Sequence, residues 1–324
     1  MVAASLGVLA GCAVERSKPS NPPAGTRLDF SGQSPAFDGA FWSVWGDGQA
    51  ELAGYDLTFP RYGHLRSGVA VTIFVSEPFS NALRVKSDPG RRGPEDEFPA
   101  MKLNLIQDFS TGVYDYNEMT SSFVALMPVN GRPAGSLTKV SFSSQEWCGH
   151  VWHQLLFDPS AIRSTVHSYF DGEADQSQTL DYPVEALPAD ALHHWARGMA
   201  YPVLQAGESR QVALLPSMQS ARHAHQSLAW STARISRATG RERVTVPAGE
   251  FETERLDVES ADGTIRSFYV ETAAPRRIIR WKSSTGEQAS LLASRRLKYW
   301  QMNAAGFEKE LESLGLKARP PRTP

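Results

Sequence analysis

The chain has 324 residues, of which 41% are hydrophobic and 21% charged, and these fractions exclude a disordered protein. Its 33 basic and 35 acidic side chains nearly cancel, so we expect no nucleic-acid partner. The two cysteines, Cys12 and Cys148, are too few for a disulfide framework.

The N-terminal segment has the pattern of an export signal. Val2–Ala10 is an apolar run that is too short to span a bilayer but suits the apolar region of a signal peptide. It ends in Leu-Ala-Gly-Cys at residues 9–12, which resembles the lipobox of bacterial lipoproteins. The resemblance implies a signal peptide over residues 1–11, cleavage before Cys12, and acylation of that residue.

The same resemblance implies a location. Ala13 stands where inner-membrane lipoproteins usually carry aspartate, which favours the outer membrane and its periplasmic face. Residues 12–36 are predicted to be a lipidated tether, because Glu15–Gly25 is rich in proline and serine. We therefore expect a membrane partner, held through the acyl chains.

Residues 37–182 show the alternation of β-strands. Over Val69–Val75, valine and isoleucine occupy every second position, and over Met101–Leu105 apolar side chains alternate with Lys102 and Asn104, so each run predicts a strand. Ser87–Pro99, between them, is polar and rich in proline and glycine. We interpret it as a long exposed loop.

Residues 206–303 are predicted to form an antiparallel meander. A strand around residues 256–258 leads into Asp262-Gly263, a preferred two-residue hairpin turn because glycine accepts positive φ. The return strand includes residues 268–270. A second turn at Thr285-Gly286 joins the next two strands.

Two short helices are predicted beside these strands. One lies within Leu187–Met199, in a connector over residues 183–205, with Asp190 as its N-cap. The other begins at Phe307, in the C-terminal segment 304–324, which ends in a basic tail. The fold class is therefore mainly β, with one large curved antiparallel sheet and about two short helices.

Two motifs resemble known families. Ser-Ser-Gln-Glu-Trp-Cys-Gly-His at residues 143–150, with Arg61-Tyr62-Gly63 and Thr111–Tyr114, resembles bacterial lipoproteins that often carry the label "septum formation inhibitor Maf". This resemblance covers roughly residues 37–160. The label does not fit, because the Maf nucleotide pyrophosphatases begin with a Ser-Pro-Arg-Arg loop that this sequence lacks, so it implies no such activity.

The second motif is Val-Pro-Ala-Gly-Glu-Phe at residues 246–251. It is similar to a periplasmic domain family of unknown function with a V-P-A-G-x-F signature. By family analogy that domain is related to lipoprotein-localisation proteins, whose curved antiparallel half-barrel encloses an apolar cavity. The resemblance covers roughly residues 240–300 and implies the same kind of half-barrel here.

Cys148 is a candidate nucleophile, with His150 and His153 as nearby bases. A cysteine nucleophile needs a base or cation that stabilises its thiolate. In a strand, however, residues 148 and 150 share one face and residue 153 lies on the other. A structural or ligand-lining role and reversible disulfide chemistry therefore remain alternatives, and no catalytic residue is assigned.

His223 and His225 are candidate metal ligands, because two residues apart on a strand they would point the same way. A zinc site needs a third ligand that the sequence does not identify, and scattered histidines are the alternative. No metal site is assigned, and no motif indicates a cofactor.

Tryptophans recur along the predicted sheet. If the sheet curls without closing, its concave face must be filled by the protein itself or by an apolar ligand. Core packing and ligand binding remain alternatives. The candidate ligand-lining residues are Trp147, Trp152, Trp230 and Trp281.

The leading functional hypothesis is a membrane-anchored envelope lipoprotein that acts as a non-catalytic binding module for a lipid-like or other apolar partner. One alternative is a thiol-dependent hydrolase or transferase centred on Cys148. The other is a structural subunit of an envelope complex.

Overall fold

The computed structural model describes residues 28–318. The predicted signal peptide and Cys12 lie outside the described residues. The fold contains fourteen strands: β1 Ala50–Arg61, β2 His64–Ser80, β3 Glu97–Thr111, β4 Tyr114–Ala125, β5 Leu137–Glu146, β6 Gly149–Phe157, β7 Ala161–Ser168, β8 Gln176–Asp181, β9 Ser209–Leu214, β10 Ser231–Val246, β11 Gly249–Ser260, β12 Ile265–Glu271, β13 Ile278–Ser283 and β14 Gln288–Leu297.

The helices of the described residues are short. The α-helices are α1 Gly39–Trp45, α2 Leu192–Ala196 and α3 Met218–Ala224, and the 3₁₀ helices are Ala189–Ala191, Tyr299–Gln301 and Phe307–Leu314. None of the helices over residues 28–318 is long and apolar enough to cross a membrane.

All fourteen strands belong to one sheet, and each neighbouring pair is antiparallel. The order is β8-β7-β6-β5-β4-β3-β2-β1-β14-β13-β12-β11-β10-β9. The predicted mainly β fold with one large antiparallel sheet is confirmed. Pairing of β1 with β14, which places Ala50 opposite Leu297, joins the two predicted β regions into one sheet.

Local turn chemistry explains the hairpins. Gly263, between β11 and β12, has φ +81°, and Gly286, between β13 and β14, has φ +100°. Glycine adopts these values without the steric cost that a Cβ brings. Both turns are present at the predicted positions, but the Asp262-Gly263 turn is a three-residue loop over residues 261–263, because the Ser260 amide donates to the Thr264 carbonyl at 2.9 Å. The predicted loop at Ser87–Pro99 overlaps the connection between β2 and β3, which covers residues 81–96. Residues 97–99, which were predicted to be in the loop, belong to β3.

The free edge of β9 is covered by the chain that follows β8. Residues 185–189 run parallel to β9, with the Leu187 amide donating to the Ala213 carbonyl at 2.8 Å. The Ala189 amide donates to the Leu215 carbonyl at 2.8 Å. The curled sheet therefore does not expose β9 as an edge that could pair with another chain.

The concave face of the sheet is filled by the insert between β8 and β9. The ring of His194 packs against that of Phe74 on β2, with the centroids 5.5 Å apart. The ring of His193 packs against that of Trp281 on β13, with the centroids 5.0 Å apart. Apolar side chains of the insert, which are nearly inaccessible to solvent, join the same core: Leu187, Leu192, Trp195 and Leu204. The connection between β9 and β10 adds Leu215, Met218 and Leu228.

The spaces left beside this insert are small. One, next to Leu187 and Tyr201, has a volume of about 10 Å³, and another, next to Asp190 and His193, about 30 Å³. Such volumes hold one or two water molecules. The expected apolar cavity on the concave face is therefore replaced at these places by the protein's own core.

Two helix predictions need correction. The predicted helix within Leu187–Met199 is limited to residues 189–196. Asp190 is not its N-cap: it lies inside the 3₁₀ turn and accepts a hydrogen bond from the Met218 amide at 3.2 Å. Its partner is the first turn of α3, a tertiary contact that local sequence does not reveal.

The predicted tether over residues 12–36 meets the fold before its end. The Ser31 amide donates to Glu185 Oε1 at 2.8 Å, and the Gly32 amide donates to the Tyr201 hydroxyl at 2.7 Å. Gln33 forms an antiparallel bridge with Val203. Residues 31–33 are therefore fixed to the insert.

We expect acid to destabilise the fold through three histidines. Burial lowers the pKa of His153 to about 4, and that of His193 and His194 to about 3. Between pH 6.5 and 5.5 the unfolded chain gains protons at these sites and the folded chain does not. Burial also raises the pKa of Asp190 to about 7, which opposes the loss by about one proton.

The net effect is a fall of about 2 kcal/mol in the free energy of unfolding over that pH unit. Urea titrations at the two pH values measure it. His153→Gln, which removes one of the three buried imidazoles, should make the fall smaller. Constant or rising stability on acidification would contradict the prediction.

Candidate functional site

Every second connection between β1 and β8 lies at the same end of the sheet, and there are four of these hairpin turns. The β1–β2 turn is Tyr62-Gly63, the β3–β4 turn is Gly112-Val113, and the β5–β6 turn is Trp147-Cys148, while β7 and β8 are joined by residues 169–175. Because strands β1 to β8 are consecutive neighbours in the sheet, these turns form a row. We call Tyr62, Val113, Trp147 and Tyr169 the hairpin rim.

The hairpin rim exposes large apolar side chains. The exposed fraction is 55% for Tyr62, 82% for Val113, 75% for Trp147 and 70% for Tyr169. Single exposed apolar side chains are common on protein surfaces, whereas an aligned group indicates an interaction surface. Leu65, at the start of β2 and 63% exposed, lies three residues from the first rim residue.

Aromatic contacts connect the rim residues. The ring centroids of Tyr62 and Tyr116 are 6.5 Å apart, those of Tyr116 and Tyr114 5.9 Å, and those of Tyr114 and Trp147 6.3 Å. Tyr169 lies against Gly149, where an added Cβ would come within 2.5 Å of its ring. Glycine at position 149 therefore allows Tyr169 to pack beside the Trp147 turn.

An arginine supports the rim from below. Arg61 donates to the hydroxyls of Tyr62 and Tyr116, at 3.3 and 3.2 Å, and to the His223 carbonyl at 3.1 Å. The two tyrosine hydroxyls are 2.6 Å apart. Since a planar guanidinium holds several acceptors in fixed directions, this network limits movement of the turn.

Beneath that arginine, Glu118 binds the imidazole of His223 at 2.8 Å. The carboxylate also accepts hydrogen bonds from Ser144 and Gln219, at 2.8 and 2.6 Å. Burial acts against its charge, yet the hydrogen bond and the charge of His223, with these other donors, hold the pKa of Glu118 below its usual value. The group therefore anchors α3 to the sheet as an ion.

The candidate metal ligands lie at the end of a helix, which corrects the expected strand. His223 is in the last turn of α3 and binds Glu118, whereas His225 is its C-cap and its Nδ1 lies 2.6 Å from Glu173 Oε1. Residues 28–318 contain no group of three or more side chains arranged to hold a metal ion.

The candidate catalytic residues are close in sequence but not joined in space. Cys148 is in the β5–β6 turn and exposed, and His150 is exposed on β6. His153 faces the interior, where its Nε2 lies 2.8 Å from Ser164 Oγ. The hydrogen bond and negative charge of Glu146 raise the pKa of the Cys148 thiol, opposite to the shift that activates a nucleophile.

We therefore expect Cys148 to alkylate slowly at neutral pH. Replacing Glu146 by glutamine removes the negative charge and should lower the thiol pKa, so that iodoacetamide reacts faster at pH 7. The rate is measured by mass spectrometry from pH 6 to 10. A parent thiol that reacts at its full rate by pH 7, or a rate unchanged by Glu146→Gln, would contradict this prediction.

The four candidate ligand-lining tryptophans are dispersed. Trp147 is on the hairpin rim, and Trp152 lies on the outer face of β6 beside His167. Trp230 donates to the Asp181 carbonyl at 2.8 Å, near β8. Trp281 is fully buried and donates to Glu287 at 2.8 Å. They do not line one cavity.

Sequence reasoning identified Trp147 but missed the other rim residues. The available signal was glycine beside a large apolar residue: Tyr62 precedes Gly63, and Val113 follows Gly112. Both glycines have positive φ, which marks two-residue hairpin turns. Such pairs reveal a turn, but only the strand order shows that the turns are neighbours.

No protein-family model matches the chain, and no curated protein matches it. Among solved structures it is similar to a β-barrel-like protein of a domain of unknown function, DUF1849, from Brucella abortus. That match has 11% identity and a TM-score of 0.42, over 76% of this chain and 98% of the other.

A putative exported protein with a YmcC-like fold from Bacteroides fragilis is also similar. Here the identity is 12% and the TM-score 0.20, over 83% of this chain and 100% of the other. Neither score is high enough to assign a function or ligand to this chain.

Proposed function

We propose that the protein is a non-catalytic binding module of the bacterial cell envelope, tethered through acylated Cys12 at the periplasmic face of the outer membrane, and that the hairpin rim binds a lipid surface. The observation that carries the proposal is the row of exposed apolar side chains on four neighbouring hairpins. With the concave face occupied by the insert, the rim is an apolar surface of the described residues that faces solvent.

The rim residues suit the boundary between lipid and water. Tyrosine and tryptophan combine an apolar ring with one polar group, and they are enriched where membranes meet water. The turns are two strands apart, about 10 Å at the usual strand spacing. Side chains separated in this way favour shallow insertion at several points over a single compact hot spot.

The part of the tether that the structure describes, residues 28–36, leaves the rim free. Pro35 lies against Gly135, in the β4–β5 connection, and Trp45 precedes the start of β1. Both positions are at the end of the strands opposite the hairpin rim. The twelve residues of β1 separate the two ends by about 40 Å.

Vesicle binding tests the proposal. The full chain carrying Cys12→Ser, which removes the predicted acylation site, is mixed with phosphatidylethanolamine–phosphatidylglycerol vesicles and sedimented. We expect Trp147→Ala to weaken binding about tenfold. An aromatic side chain that becomes buried when it inserts into the lipid contributes about 1.5 kcal/mol or more to binding. Tyr169→Ala should act in the same direction.

Trp300→Ala is the matched control, because Trp300 is 45% exposed and lies outside the hairpin rim. It should leave binding unchanged. Equal binding by the Trp147 and Trp300 variants would exclude the rim as the lipid surface. Binding of the parent to an envelope protein but not to vesicles would instead favour the structural-subunit hypothesis.

A further inference from the structure

A groove of about 400 Å³ lies beside the hairpin rim, on the outer face of β5, β6 and β7. This volume is within the range of small-molecule sites. The groove is distinct from the rim, whose residues do not line it. Its lining includes Ser143, Gln145, His150, Trp152, His167 and Asp175.

Strand register explains why a depression forms here. Ser143 on β5 is directly opposite Trp152 on β6, which is in turn opposite His167 on β7. Because the serine side chain is much smaller than the two rings, it forms the bottom of the groove. The rings of Trp152 and His167 form one side, which we call the aromatic wall. In the next row Gln145 is opposite His150, so two polar side chains border the same space.

The aromatic wall is flat and held in place. The rings of Trp152 and His167 have centroids 5.6 Å apart and are inclined by 26°. His167 Nδ1 lies 2.7 Å from Asp175 Oδ1, which fixes the imidazole. Trp152 is 38% exposed, so part of its ring remains open to a ligand.

Several hydrogen-bonding groups face the groove without a side-chain partner. Over residues 28–318, the Trp152 indole N–H, the Gln145 amide, the His150 imidazole and the Ser143 hydroxyl make no hydrogen bond to the protein. Together they supply both donors and acceptors around the exposed ring. The lining includes one carboxylate, Asp175, and neither lysine nor arginine.

We propose that this groove binds a neutral sugar ring of an oligosaccharide. The C–H face of a pyranose is apolar and fits a flat indole, while its hydroxyls need both donors and acceptors. The lack of lysine and arginine in the lining, together with the Asp175 carboxylate, disfavours a phosphate or carboxylate ligand. A peptide strand is disfavoured too, because β6 is already paired on both sides and offers no free backbone edge.

Titration with neutral trisaccharides tests the site. The full chain is titrated with chitotriose and, separately, with cellotriose, while tryptophan fluorescence and heat are recorded. We expect saturable binding of at least one sugar. Trp152→Ala should weaken it at least tenfold, and Gln145→Ala severalfold. Trp300→Ala removes an exposed tryptophan that follows the end of β14, at the end of the strands opposite the hairpin rim. This variant should bind as the parent does.

Failure to bind either sugar, or equal binding by the parent and Trp152→Ala, would overturn the proposal. Thermal unfolding of each variant verifies that the fold is retained, which is expected because the changed side chains are on the surface. The same proteins are tested with vesicles. Loss of sugar binding in Trp152→Ala without loss of vesicle binding separates this groove from the hairpin rim.

Discussion

Replacing Arg197 by methionine is expected to lower the free energy of unfolding by about 3–5 kcal/mol. The Arg197 guanidinium donates to both oxygens of Glu51, at 2.6 and 3.0 Å, and to the Pro275 carbonyl at 2.9 Å. The exposed fractions of the two side chains are only 1% and 3%. Loss of the cation therefore leaves a carboxylate in the core without its counter-ion.

Urea unfolding measures this effect against a matched control. Arg241 pairs with Glu252 on the surface, with exposed fractions of 62% and 57%, so Arg241→Met should cost less than about 1 kcal/mol. The double variant Glu51→Leu/Arg197→Met should be more stable than the single Arg197 variant, because no unpaired charge remains. Equal losses in the buried and surface variants would contradict the prediction.

Replacing Trp195 by alanine is expected to cost about 3–5 kcal/mol as well. Trp195 is 2% exposed, belongs to the insert that fills the concave face, and donates to the Pro202 carbonyl at 2.9 Å. Its removal takes away apolar contacts and leaves a cavity. Trp300→Ala, at an exposed site, should change stability by less than about 0.5 kcal/mol.

A second measurement shows whether the insert replaces a ligand cavity. An engineered apolar cavity can bind benzene, and binding to the folded state raises the melting temperature. We expect benzene to raise the melting temperature of Trp195→Ala and not that of the parent. A similar rise in the parent would show that the concave face is already open to apolar molecules.

The strands could be predicted because their information is local. Alternation over Val69–Val75 and turns such as Asp262-Gly263 depend on neighbouring residues, and both are present in the structure. Asp190 shows the limit. Its position suggested an N-cap, but burial and a contact with Met218 on another helix determine its role.

The insert could not be predicted from local pattern. The sequence indicated a curved sheet with a concave face, but what fills that face depends on where residues 182–208, the segment between β8 and β9, fold back. His193 and His194 contact strands that are far away in the chain, including β2 and β13. Tertiary packing of this kind leaves no periodic signal in a single sequence.

The candidate site was partly visible in sequence. Trp147, Cys148 and His150 were singled out as one motif, and the structure places them on a single hairpin. Their relation to Tyr62 and Tyr169 follows from strand order, which sequence alone did not provide. The pairing of His225 with Glu173 likewise joins residues 52 positions apart.

Pairing of β1 with β14 has a consequence for how the chain matures. These two strands occupy the middle of the sheet, yet Ala50 and Leu297 are 247 positions apart along the chain. β1 can therefore pair with β14 only after β14, the last strand of the chain, has been made. Until then, the first eight strands and the last six strands are not joined in one sheet. Contacts so distant in sequence make assembly slow, and partly made protein with open strand edges would depend on chaperones to avoid aggregation.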